Sequence, residues 1–240
     1  VYVVHDKNAF LMAPPWTNKV FKGKVFTSMA HLFTAEQLEQ MDEKSIYDAV
    51  SQSLEFDAGA YNQEHRYIYR LNDIANLENL IYQCPDCGHE GLVSQTHKLV
   101  CPKCHRELVY DQYGLLDGMS LFQNYERQRL KLEKLIADTP EYSLETPVRL
   151  VRYQGNSLVE TGRGTVSLNR ELYMYRGTDK GEQVEYRFPT KLIQYLPVDI
   201  GGDIQIYDNY EVYQFYMDTK YLPIKFSTAG EYFYRLANNQ

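Results

Sequence analysis

The spacing of apolar residues changes near residue 140: before it, short helix-like stretches alternate with irregular chain, and after it apolar and polar residues alternate in short runs. Thr34-Ala35-Glu36-Gln37 has the form of a capping box, with Leu38 and Met41 as the apolar face of the helix it starts. Asp42 or Ser45 begins a second helix carrying Ile46, Ala49, Val50 and Leu54, and Asn72 caps a third with Ile74, Leu77, Leu80 and Ile81 on one side. Val1 to Val4 and Val20 to Phe26 are expected strands around Ala13-Pro14-Pro15-Trp16, whose prolines exclude a helix. Ser120 starts the clearest helix. Its Leu121, Phe122, Tyr125, Leu132, Leu135 and Ile136 recur at three- and four-residue steps, charged residues cover the other side, and Pro140 ends it.

From Pro147 onward eight short strands are expected: Val148 to Tyr153, Gly164 to Leu168, Glu171 to Tyr175, Gln183 to Phe188, Leu192 to Leu196, Ile204 to Tyr207, Val212 to Met217 and Ile224 to Phe226. Gly155-Asn156, Arg176-Gly177, Lys180-Gly181 and Gly201-Gly202 supply turns, and Thr228-Ala229-Gly230-Glu231 signals a last helix as a capping box. A small antiparallel barrel or sandwich with one C-terminal helix across an open end is the pleckstrin-homology-like architecture.

All four cysteines fall in two pairs, Cys84-Pro85-Asp86-Cys87 and Cys101-Pro102-Lys103-Cys104, separated by thirteen residues. Each pair turns two sulfurs toward one centre, and a hairpin between the pairs completes a tetrahedral four-thiolate set, the layout of a zinc ribbon with structural Zn²⁺. A closed set of four leaves no position for a reacting water. Iron held by four thiolates uses the same spacing and stays open, while a redox dithiol works as a single pair. His89 and His105 lie within two residues of a cysteine and are expected as loop residues.

The expected fold is therefore α+β: a mixed helical and extended segment over 1–82, a zinc ribbon over 83–110, a connecting helix over 111–140 and a β-rich domain over 141–240. A formal charge of −7 counts against nucleic acid and anionic lipid, both of which need a cationic face. No apolar run approaches the ~18 residues that read as a transmembrane helix. Cysteines spent on metal suit a reducing compartment, so a cytoplasmic location is expected. The chain opens Val1-Tyr2-Val3-Val4 without methionine, which reads as a piece of something longer.

Catalytic motifs are missing from the sequence. No Gly-x-Ser-x-Gly elbow occurs, and Thr161-Gly162-Arg163-Gly164-Thr165 lacks a phosphate-binding ending and is expected as a hairpin turn. Of 22 tyrosines, 12 lie at or beyond Tyr153, and Tyr173, Tyr175, Tyr213 and Tyr216 are expected as half-buried strand residues.

Phe10-Leu11-Met12-Ala13-Pro14-Pro15-Trp16, Lys22-Gly23-Lys24-Val25, Phe33-Thr34-Ala35-Glu36-Gln37-Leu38, Leu77-Glu78-Asn79-Leu80-Ile81-Tyr82 and the two Cys-Pro-x-Cys pairs follow in an order that resembles a known family. The chain is similar to the C-terminal region of Firmicutes 1-acyl-sn-glycerol-3-phosphate acyltransferase proteins, over roughly residues 1 to 135. Tyr113-Gly114 and Phe122, Tyr125 and Gln128 match its later motifs in part, while Pro15 and Tyr125 stand where the family has Arg and Trp. Members transfer acyl groups with a His followed five residues later by Asp. Here the six positions five after each histidine are Phe10, Glu36, Arg70, Ser94, Pro102 and Tyr110. The resemblance thus implies a non-catalytic accessory region of a phospholipid-biosynthesis enzyme. Its implied partner is an upstream acyltransferase domain or another protein, with peripheral membrane proximity through the parent. The alternative is a stand-alone zinc-ribbon and β-barrel module that binds protein or nucleic acid.

Overall fold

A computed structural model describes residues 1–69 and 73–239. Its chain divides into two compact units, one made of 1–75, 93–100 and 105–124, the other of 76–92, 101–104 and 125–240.

In the first unit, β1 (Tyr2–Lys7) pairs antiparallel with β2 (Phe26–His31), so the second strand begins where the expected Val20 to Phe26 strand ends. The Lys22-Gly23-Lys24 stretch instead lets the Tyr69 ring approach, because a Cβ on Gly23 would lie 2.1 Å from it. A single turn, α1 (Ala9–Met12), stops before the two prolines. Thr34 caps α2 (Ala35–Glu39) in a complete capping box with Gln37, and Asp42 caps α3 (Glu43–Leu54) by accepting from the Ser45 amide. Sequence pattern assigned nothing to α4 (Ala58–His65), whose Asp57 side chain accepts from the Gly59 and Ala60 amides. That cap was the available signal. The Asn72 cap expected for a third helix lies outside the described residues. The downstream stretch forms only a 3₁₀ turn, Leu77–Asn79, in the second unit, although Leu77 and Ile81 are buried as expected.

The first unit also holds a three-stranded meander of β3 (Val93–Gln95), β4 (Lys98–Val100) and β5 (Glu107–Val109). Helix α5 (Leu121–Asp138) follows Ser120, whose hydroxyl accepts from the Gln123 amide while the Gln123 side chain accepts from the Ser120 amide. Its buried positions are Leu121, Asn124, Gln128, Leu132 and Ile136. Phe122 and Leu135 are exposed, contrary to the expected apolar face, because each sits beside this stripe.

The second unit is built on a six-stranded antiparallel sheet in the order β10-β11-β6-β7-β8-β9. Its strands are β6 (Leu144–Gln154), β7 (Ser157–Leu168), β8 (Leu172–Asp179), β9 (Glu182–Pro189), β10 (Asp203–Asp208) and β11 (Glu211–Met217). The ring of Tyr186 on β9 lies 5.0 Å from that of Tyr213 on β11 although three strands separate them in the sheet, so the sheet curls into a half-barrel. The concave side is filled by Leu150, Val166, Tyr173, Tyr175, Phe188, Ile204 and Phe215 together with Phe226, Ala229 and Phe233 of α6 (Leu222–Ala237). Tyr173 and Tyr175 are fully buried, not half-buried as expected, because they face this filled side.

Two of the eight expected strands are absent. Leu192 ends a 3₁₀ turn that continues as irregular chain, and Ile224 to Phe226 belong to α6. The Thr228 capping box is not one either, since Thr228 lies in the helix interior and its hydroxyl donates to the Ile224 carbonyl. A short β-like apolar run next to Pro223 is ambiguous by pattern, and burial against the sheet decides it. The Thr161 to Thr165 stretch is mid-strand, not a turn. There a Cβ on Gly162 would meet the Thr178 carbonyl oxygen at 1.6 Å, so glycine permits a close backbone approach.

Candidate metal centre

Proline and the residue after it set a tight turn between the cysteines of each pair, and backbone bonds fix the first turn: the Cys84 amide donates to the His89 carbonyl and the Gly88 amide to the Cys84 carbonyl. Gly88 has φ +71° directly after Cys87, and His105 has φ +61° directly after Cys104. The two loops therefore leave their second cysteine through the same left-handed step, which glycine takes freely and histidine at a cost.

Both loops belong to the second unit. They bring Cys84, Cys87, Cys101 and Cys104 together with all sulfurs within 4.8 Å of one another. The Cys84 to Cys104 and Cys87 to Cys101 sulfur separations are 3.6 Å. That is too long for a disulfide and near the ~3.8 Å edge of a tetrahedron with ~2.3 Å metal–sulfur bonds. The four predicted ligands are thus assembled in a geometry that fits one metal ion, with Cys84 and Cys101 buried and Cys87 and Cys104 exposed. Burial opposes ionisation of Cys101. Amides of Cys104 and Lys103, followed by the neighbouring thiols, outweigh it and draw the Cys101 thiol down to about 7, so this ligand is ready to lose its proton to a metal. His89 and His105 are not in the cluster.

Contacts around the first loop come from the part of α5 that lies in this unit and from α6. Gln128 on α5 donates to the Leu80 carbonyl at 2.7 Å and accepts from the Tyr82 amide at 3.2 Å, so one side chain closes two backbone groups just before Cys84. Lys131 donates to the Pro85 carbonyl at 2.8 Å, placing a cation beside a site that four thiolates around a divalent ion would leave negative. On α6, Lys225 holds both oxygens of Glu90 at 2.8 and 2.7 Å, and the ring of Tyr221, which precedes that helix, stacks on Tyr82 at 5.0 Å.

Two buried polar groups elsewhere in this unit escaped sequence reasoning. Arg152 at the end of β6 donates to Asp179 at 2.7 Å and to Glu211, and lies over the Tyr213 ring at 4.5 Å. Burial works against the charge on Asp179, yet the hydrogen bonds it accepts hold its carboxyl below the usual range. These partners are 27 and 59 residues from Arg152, so no local spacing announces them. Asp203 at the start of β10 is buried with Oδ2 unpartnered. Burial first, and the charge of Asp199 second, push its carboxyl up to about 6. Among the described residues neither group joins a metal-ligand cluster, and no helix is long and apolar enough to cross a membrane.

No protein-family model matches the chain, and neither a curated protein nor a solved structure matches it.

Proposed function

We propose that this chain is the zinc-stapled, non-catalytic C-terminal region of a bacterial lysophosphatidate acyltransferase-like protein, and that it positions or regulates the catalytic domain. The staple part of the reading is carried by the closed set of four sulfurs, since Cys84, Cys87, Cys101 and Cys104 supply four donors for one ion by themselves, and the family part rests on the resemblance over residues 1 to 135. Such an ion has no free position for water or substrate and serves to hold chain segments together. All-sulfur donors select zinc over magnesium, calcium or manganese, and a zinc ribbon is the form this takes here. The sequence carries no His-x-x-x-x-Asp, so a general base for a glycerol hydroxyl is lacking in this chain. The β-rich part is pleckstrin-homology-like in this reading. The open antiparallel sheet and the core-facing C-terminal helix support it, together with a bridge from Val198 to Ile204 that adds a rudimentary seventh strand beside β10.

Incubated with lysophosphatidate and an acyl thioester, the purified chain is expected to form no phosphatidate, and turnover would overturn the non-catalytic reading. Elemental analysis is expected to find one zinc per chain. Stoichiometric iron would move the site to the rubredoxin type.

A second reading, a stand-alone protein-recognition module, is favoured by one feature. Tyr153, Tyr207 and Tyr210 stand exposed at or beside the β6–β7 and β10–β11 turns, whose flanking residues Arg152 and Glu211 are bonded to each other. Exposed tyrosines on ordered turns are efficient contact residues for another protein.

A further inference from the structure

The outer edge of β2 carries none of the devices that keep edge strands apart. Thr27 to His31 are all exposed, and β2 has β1 as its only partner among the described residues. Phe26-Thr27-Ser28-Met29-Ala30-His31 contains no lysine, no proline and no acidic residue, and its pairing with β1 runs without a bulge over the six positions. One face of the ribbon is also uncovered, with Tyr2, Val4 and Met29 at 64%, 52% and 69% exposure. A two-stranded ribbon is marginal by itself.

Hydrogen-bond parity identifies the backbone groups that are free. The Leu32 amide donates to the Val1 carbonyl, and the register then places Val3 with Ala30, His5 with Ser28 and Lys7 with Phe26 as hydrogen-bonded pairs. The N–H and C=O groups of Thr27, Met29 and His31 consequently point away from β1, toward the open edge. Their side chains share the uncovered face.

We infer that β2 pairs with β2 of a second copy of this chain, antiparallel and with the two-fold axis at Met29, to make a continuous four-stranded sheet. Self-complementarity is the reason for choosing a second copy. In this register Met29 faces Met29 of the partner subunit, and Thr27 faces His31 of the partner subunit, so every outward group of the three finds a partner group of the right kind. Met29 then packs beside Met29 of the partner subunit at the seam, with Tyr2 and Val4 one strand away on the same face. Thr27, whose hydroxyl donates to Asp6 at 2.6 Å, comes opposite His31 of the partner subunit, and no like charges are brought together. The inference is independent of the acyltransferase reading, because it uses only β1 and β2.

Crosslinking of the full, metal-loaded chain tests both the pairing and its register. Hydrogen-bonded antiparallel pairs have Cα atoms about 5.5 Å apart, within disulfide reach. Under mild oxidation Met29→Cys is expected to crosslink to itself, and Ala30→Cys, which falls opposite Ser28 of the partner subunit, is not. Thr27→Cys mixed with His31→Cys should give a heterodimer that neither variant forms alone. The unsubstituted protein, run alongside, corrects for the four metal-ligand cysteines. Light scattering should show concentration-dependent dimers that Met29→Lys weakens at least tenfold without changing the circular dichroism spectrum. A chain that stays monomeric to about 1 mM, crosslinks in another register, or dimerises equally well as Met29→Lys overturns the inference.

Discussion

The β1–β2 ribbon and the β6–β11 sheet use the same antiparallel hydrogen bonding, yet their faces meet opposite fates. The sheet curls so that rings from β8, β9 and β11 meet, with Tyr175 and Phe215 5.3 Å apart and Phe188 and Tyr213 5.2 Å apart, and α6 adds Phe226 and Phe233 to the same core. The ribbon leaves Tyr2, Val4 and Met29 in solvent on one face. Backbone bonds exchange water partners for protein partners at a modest net gain, so pairing alone does not distinguish the two regions. Burial does, at about 25 cal/mol per Å² of apolar surface. The sheet is where the stability of its unit resides, and the ribbon is an element awaiting cover.

Metal removal gives the largest expected effect. The sequence alone suggests that Cys84→Ser would unfold the zinc ribbon expected over 83–110 and leave the β-rich domain largely intact. Gln128, Lys131 and Lys225, which all reach the first cysteine loop from the helices of the sheet unit, change that expectation. Cys84→Ser or chelation should lower the stability of the sheet unit by more than about 3 kcal/mol and expose α6 amides to hydrogen exchange. Unchanged α6 protection in the metal-free chain would show that the loop is only an appendage.

Next in size is a direct contrast between the two antiparallel regions. Phe215→Ala, which empties the centre of the curled sheet, should cost about 3–5 kcal/mol in urea unfolding. Met29→Ala, on the exposed ribbon, should change monomer stability by less than about 0.5 kcal/mol. Comparable losses at both sites would erase the distinction.

Asp203 offers a smaller and pH-dependent test. Its carboxyl is raised to about 6 in the folded chain by burial and by Asp199, against about 3.9 when unfolded. Between those values the folded state holds the extra proton, so stability falls as pH rises from about 4 to 6 and the penalty is complete above 6. Asp203→Asn should therefore stabilise the chain by about 2 kcal/mol at pH 7.5, have little effect near pH 4, and flatten the stability profile. Equal effects at both pH values would assign the change to packing. A smaller effect than that of Asp203 is expected at His105, whose φ of +61° suits glycine, so His105→Gly should stabilise the chain by about 0.5–1 kcal/mol.

Features written in adjacent residues were legible from sequence. The Thr34 and Ser120 starts, the Asp42 cap, the clustering of the four cysteines and six of the eight expected strands all follow from local spacing or alternation. Errors came where a local pattern had two solutions. Ile224 to Phe226 is β-like in composition and sits in α6, and the glycines from Gly162 to Gly164 read as a turn although they mark close strand approach.

By itself, then, the sequence determined where four thiols would meet and where the chain would change from helical to alternating period, because cysteine spacing and side-chain periodicity are short-range properties. Tertiary structure decided which faces those elements would bury. It set Phe122 and Leu135 outside the α5 stripe, sank Tyr173 and Tyr175 into the curled sheet, and joined Arg152 to Asp179 and Glu211 across long separations. Those outcomes depend on the strand order and on the curl that brings β9 to β11, quantities that no window of neighbouring residues contains.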